Sequence, residues 1–272
     1  MWIAVCCPSA TLAVWSSAWL HGAAASDDAL DALLPWGEAH EVVADDPGTA
    51  ETVGLPPPGR VPAAPAQLLA MLRRLGVEGG HLVLPVPGDV RGLGGAGAFP
   101  AKALDAGEAV LFTGTGYAAV PKPVAEGLVR WTVYPRGTSE LTVGLPEYVG
   151  LGEAEHGLTE AVRVSAGTLH SMEVARERPG IRQELSARLR AIPEPSWPRD
   201  TPARSLRVLQ RAAEVAAILA LARADEPGGA LSATSAEHRS AALRPLADAV
   251  RTARCAAVNE AVRTFADHAD RS

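Results

Sequence analysis

Four side chains of this 272-residue chain have types and positions that could support chemistry: Cys6, Asp45, His81 and Asp89. Cys6, Asp45 and Asp89 fall at or just beyond the ends of three short apolar runs that read as strands, and His81 opens the third run. The carboxyl ends of strands are where open α/β sheets hold small ligands, so these four form a candidate ligand pocket. Cys6 and Cys7 also precede Pro8-Ser9, a helix start whose dipole would favour a thiolate. A thiolate nucleophile needs a base, and the local sequence supplies neither that base, nor redox C-x-x-C spacing, nor a phosphatase-type arginine. The pair therefore reads as two small buried hydrophobes.

Three further patterns carry weaker signals. Gly92-Leu93-Gly94-Gly95-Ala96-Gly97 matches G-x-G-x-x-G in letters. A pyrophosphate site needs those glycines directly between a strand and a helix, whereas here five residues follow the strand and Pro100 should interrupt the helix. Glu153 and His156, with Glu160, have the E-x-x-H spacing of di-metal bundles. At 100° per residue they point away from the apolar stripe through Ala154, so they read as a solvated face rather than as metal ligands. Arg182, Arg188, Arg190, Arg204, Arg207 and Arg211 cluster across two helices and their connection, a local patch suited to an acidic protein surface.

Composition limits the classes of partner. With 25 basic against 31 acidic residues the net charge is −6, which argues against nucleic acid. Lys102 and Lys122 are the two lysines and Asn259 the one asparagine, a bias typical of a GC-rich bacterial genome. Three cysteines without framework spacing fit a reducing cytoplasm. Met1 to Leu20 is apolar and runs into Gly22–Ser26, which resembles a secretory signal, but no Lys or Arg precedes the run and Pro8-Ser9 interrupts it. No membrane span is expected.

The elements that would position these residues read as follows. Trp2–Val5 is a short strand, with Ser9 capping a helix to about His21. A helical turn lies around Ala29–Leu34, a strand at Glu41–Ala44, and an exposed Pro-rich connection over 47–63. A helix follows at Gln67–Leu75, stopped by Gly76, and a strand at His81–Val86. This β-α-β-α-β order predicts a small parallel sheet. Short β-type runs at Ala109–Thr113, Tyr117–Val120, Leu128–Tyr134 and Glu140–Val143 predict an antiparallel extension, with Val129, Trp131 and Val133 on one face. From Leu151 onward only helical periods appear: Leu151–Met172, Ile181–Ile192, Thr201–Ala224, and a last helix that Pro245 should kink or divide.

The expectation is a mixed α+β chain, with a small mixed β-sheet and crossover helices over 1–148 and an α-helical bundle over 149–272. No convergent set of nucleophile, base and metal ligands is found, so no metal or cofactor is expected. The first functional expectation is accordingly a non-enzymatic protein that binds a protein partner or regulates one, with self-association open to it. Arg91, Phe99, Trp197 and Arg204 are its candidate contacts, the first two in the Gly/Pro segment 85–99. The competing expectation is a small-molecule enzyme or ligand-binding protein with its site at the ends of the N-terminal strands.

Overall fold

The computed structural model describes residues 6–90, 92–94, 97–136, 149–171, 180–190, 195–224 and 233–269. The expected strands at Trp2–Val5 and Glu140–Val143, and the contact residue Arg91, lie outside them. The described chain is a mixed α+β protein that divides into two compact units.

The larger unit takes in Cys7–Tyr148, Pro195–Pro202 and Val258–Ser272. It begins with α1 (Pro8–Leu20) and α2 (Ser26–Asp31), and a single 3-10 turn leads to β1 (Ala39–Ala44). Then come α3 (Pro47–Val53), α4 (Pro65–Arg74), β2 (Gly79–Val83), α5 (Phe99–Ala106), β3 (Ala109–Thr113), β4 (Tyr117–Ala125) and β5 (Leu128–Pro135). The apolar N-terminal run is a core helix, buried from Ser9 to Ala18. Its N-cap position is Cys7, with Pro8 in the first turn, and not Ser9 as the sequence suggested. The Ser9 amide instead donates to Glu108 Oε2 at 2.8 Å, so a carboxylate from a distant part of the chain satisfies that helix end. The connection 47–63 also holds a helix that was not foreseen. Asp46 caps α3 by accepting from the Gly48 and Thr49 amides, with Pro47 in the first turn.

The strands are ordered β1-β5-β4-β3-β2, and only β1 and β5 run parallel. The expected parallel pairing of the early strands is thus replaced: β1 and β2 occupy opposite edges, separated by three strands. Val42, Trp131 and Val133 point to one face, which α1, α3 and α4 cover. On the other face, Phe99 and Ala103 of α5 pack with Val83, Leu111, Ala118, Val120 and Tyr134. Pro100 stands in the first turn of α5, where a proline is well accommodated, so it helps to open that helix and does not interrupt it.

Both sheet edges are occupied by outside groups. Along β1, Val42 and Ala63 exchange two backbone hydrogen bonds of 2.9 Å, and the Ala44 amide donates to Pro56 O at 2.9 Å. Along β2, the Gly80 amide donates to Ser17 Oγ at 3.0 Å and the Leu82 amide to Asn259 Oδ1 at 2.8 Å. Gly80 lets α1 come this close.

The second unit takes in Met1–Cys6, Val149–Glu194 and Ala203–Ala257, and its described elements are helical. They are α6 (Leu151–Ser171), α7 (Ile181–Arg190), α8 (Ala203–Ala224) and α9 (Ala233–Ala269), the last continuing into the larger unit. Leu151, Ala154, Leu158 and Ser165 form the buried stripe of α6 as its period requires. α9 carries Pro245 in its interior and is not divided there. Leu243, Leu246 and Val250 around the proline are buried, so packing offsets the lost backbone hydrogen bond.

A Cβ at position 80 would lie 2.8 Å from Ala13 Cα and 3.0 Å from Val110 Cγ1. Gly80→Ala is expected to destabilise the larger unit by about 2–3 kcal/mol, read as a lower urea midpoint. Gly157→Ala, whose Cβ on α6 would meet nothing within 4 Å, should instead raise stability by about 0.5–1 kcal/mol.

Candidate functional site

The parallel pairing of β1 with β5 sets the register Val43↔Thr132, and the Asp45 amide extends the ladder by donating to Val133 O at 2.9 Å. Side chains alternate across a strand, so Val43 and Asp45 share one face with Arg130, Thr132 and Tyr134. The segment hydrogen-bonded along the edge of β1 brings Pro58, Gly59, Arg60 and Pro62 up as the opposite wall. Together these nine residues line a cavity of about 400 Å³. The prolines fix their own φ angles, which gives that wall little freedom to collapse.

The polar groups of the cavity are few and differ in kind. Arg130 Nε donates to Glu41 Oε1 at 2.5 Å, from the neighbouring position on the same face. Burial raises the Asp45 carboxyl above its ordinary range, the adjacent Asp46 adds to this, and Lys102 opposes it. Burial likewise raises the Tyr134 phenol, helped by Asp45 and opposed by a hydrogen bond with Thr132. A phenol shifted in that direction is a hydrogen-bonding group and not a base. The Tyr134 ring also packs against Phe99, with centroids 6.3 Å apart. The cavity is therefore tied into the core beneath α5.

Of the four side chains expected to form a pocket, Asp45 alone lines this cavity. His81 sits on β2, four strand positions away, a separation of about 19 Å at ordinary strand spacing. Asp89 lies in the turn closed by its backbone bonds to Val86. Cys6 is buried and belongs to the other unit. Asp45 and His81 do not converge, because β1 and β2 lie on opposite edges of the sheet. Of the expected partner contacts, Phe99 is a core residue at 1% exposure, which removes it from any contact surface. Trp197 is half-buried, and Arg204 is exposed but paired through Nε and Nη2 with Glu155 Oε2 at 3.0 and 2.8 Å. Arg188 and Arg211 pair with Glu184 and Glu214, so much of the arginine patch is neutralised locally. The side chain of Arg182 lies outside the described residues. Glu153, His156 and Glu160 are exposed, and Glu160 pairs with Arg163 at 2.6 Å. Among the described residues, no group of three or more His, Cys, Asp or Glu side chains could hold a metal ion, and no helix is long and apolar enough to cross a membrane.

The residues that sequence reasoning missed are Arg130, Thr132, Tyr134 and Arg60. The first three had a readable signal. They alternate with Val129, Trp131 and Val133, so the strand pattern that buries one set sends the other to the opposite face. Arg60 had none, since nothing in a Pro-rich connection says which strand edge it follows.

His81 supplies a different property. Asn259 Nδ2 lies 3.2 Å from His81 Nε2, and the bonds of Asn259 with the Leu82 backbone orient its amide so that Nδ2–H donates to the ring. That contact needs an unprotonated Nε2. Burial foremost, and then the Arg136 charge, lower the His81 pKa from 6.5 to about 4. The unfolded ring takes up a proton near pH 6.5 and the folded ring only near 4, so this contribution is complete above pH 6.5 and is lost as pH falls to 4. Urea unfolding should show up to about 3 kcal/mol of lost stability across that window. His81→Gln should flatten that part of the pH slope, and an NMR titration should show His81 neutral at pH 5.

The chain matches the model of the Rv1486c-like protein N-terminal domain over residues 9–143 and that of the Rv1486c-like protein C-terminal domain over 152–255. Its relatives include the uncharacterized protein Rv1486c of Mycobacterium tuberculosis (strain ATCC 25618 / H37Rv), 38% identical over 242 residues, covering 79% of this chain and 82% of that protein. The uncharacterized protein ML1804 of Mycobacterium leprae is 36% identical over 258 residues, covering 79% and 84%. The uncharacterized protein MAV321 of Mycobacterium avium is 33% identical over 250 residues, covering 79% and 78%. No solved structure matches. With both of its domains matched and four-fifths of its length aligned at this identity, the chain belongs to the Rv1486c-like protein family.

Proposed function

We propose that the protein binds a small polar molecule in the β1–β5 cavity and acts through that binding, without chemical turnover, in the bacterial cytoplasm. The observation that carries this reading is the cavity itself. A space of about 400 Å³ lies within the range of small-molecule sites, and it is lined by a carboxyl, two guanidinium groups, a hydroxyl and a phenol. Such a lining recognises a ligand by hydrogen bonds and charge. The Tyr134 phenol is shifted away from the form that could accept a proton, and the buried thiols of Cys6 and Cys7 do not line the cavity. The thiol form of Cys6, Cys7 and Cys255 supports a reducing compartment.

The regulatory part of the reading comes from the wall. Arg60 and Val61 lie exposed on the segment that forms one wall of the cavity, Val61 at 88%. A partner protein that touches this segment would sense whether the cavity behind it is filled. The wall therefore replaces segment 85–99 as the proposed contact.

The test is a panel of small polar compounds followed by amide NMR. Saturable shifts are expected at residues 43–45, 58–62 and 130–134, at least tenfold weaker in Thr132→Phe, which fills the cavity from β5. Val43→Leu, a smaller filling on β1, should give a partial loss and guards against misfolding of the first variant. Shifts confined to other surfaces, or conversion of a bound compound to product, would overturn the proposal.

A further inference from the structure

We infer that the ligand of this cavity is a small monocarboxylic acid that carries a hydroxyl or ammonium group close to its carboxylate. The inference rests on the cavity being a ligand site, as proposed above, and adds the chemical class.

Arg130 supplies the first argument. Its bond to Glu41 is made by Nε, which fixes the guanidinium plane and leaves the two terminal amino groups as a fork. A fork of that kind matches the two oxygens of a planar carboxylate. Arg60 brings a second guanidinium from the loop wall, so the acid is gripped from the sheet and from the loop.

Asp45 supplies the second. It lines the same cavity at the end of β1 and is the one carboxyl among the nine lining residues. An acceptor there, beside the Thr132 hydroxyl and the Tyr134 phenol, calls for a donor on the ligand, which a hydroxyl or ammonium provides.

Charge decides between a carboxylate and a phosphate. The two guanidinium charges of Arg60 and Arg130 are offset by the carboxylates of Asp45 and Glu41. A dianionic phosphate would meet the Asp45 carboxylate in a cavity where Glu41 already offsets Arg130, whereas a monoacid with a donor, or a zwitterion, matches the lining group for group. The volume holds roughly a dozen water-sized groups, enough for a ligand of a few carbons.

The experiment titrates the full chain by NMR and calorimetry with four sets of probes: glycerate, lactate and serine; acetate; inorganic phosphate and glycerol phosphate; and glycerol. Glycerate, lactate or serine is expected to shift the cavity amides saturably, with acetate at least tenfold weaker. Asp45→Asn should weaken the hydroxy or amino acid about tenfold or more and leave acetate unchanged. Arg130→Gln should weaken both acids, and Arg130→Lys, which keeps the charge but not the fork, should fail to restore them. Thermal melts of each variant check that the fold is retained. If a phosphate or glycerol occupies the cavity and the hydroxy and amino acids do not, the inference falls and the proposed binding function stands. If no probe shifts the cavity amides, both fall.

Discussion

A sheet edge presents unpaired amides that must find acceptors, and in this protein both edges find them in segments remote in sequence. The β1 edge takes Ala63 and Pro56 carbonyls, and the β2 edge takes the Ser17 hydroxyl and the Asn259 amide. An amide left bare would cost stability and invite another chain to pair with it. Satisfying these few groups dictates much of the remaining geometry. It holds α1 against Gly80, brings the end of α9 to β2, and pins the 56–63 segment along β1.

The cavity follows from that last constraint. The first sheet face is covered by three helices, but α5 packs over the strands toward β2 on the second face, and the β1–β5 half is walled by a loop. A loop carries fewer apolar side chains than a helix, so the strand positions beneath it can be polar without being stranded in a dry core. The opposite face shows what full cover demands. Trp131, wholly buried, donates from Nε1 to His40 Nδ1 at 3.1 Å, and His40 Nε2 donates to Leu33 O at 2.9 Å. Burial holds that imidazole below its ordinary pKa, in the neutral form the relay requires.

Local patterns were legible wherever one face of an element alone decides the outcome. The alternation in Leu128–Tyr134 places Val129, Trp131 and Val133 correctly, and the three-four spacing from Leu151 gives α6 its buried stripe. The mixed α+β class follows from those patterns. What could not be read is pairing between distant segments. Asp45 and His81 both sit on strands, as expected, yet the sheet order puts them on opposite edges. Ser9 has the right residue type for a cap, but the helix starts two positions earlier, with Cys7 as N-cap and Pro8 in the first turn, and Glu108 provides the acceptor. Phe99 looked available because it lies near glycines and Pro100, and Pro100 stands in the first turn of the helix that buries it. Each difference arises where a nonlocal partner overrides a local preference.

The Asn259 bond joins residues 177 positions apart. On a ribosome, the strands from residue 39 to residue 135 emerge, and residues 149–257 after them, before that asparagine leaves the exit tunnel. The first domain thus spends the synthesis of the second with one border of its sheet unfinished. Long-range closure of this kind slows folding and lengthens exposure to wrong partners. In the order of assembly, the N-terminal domain matched over residues 9–143 is completed by a segment that follows the matched C-terminal domain, since Asn259 lies past residue 255.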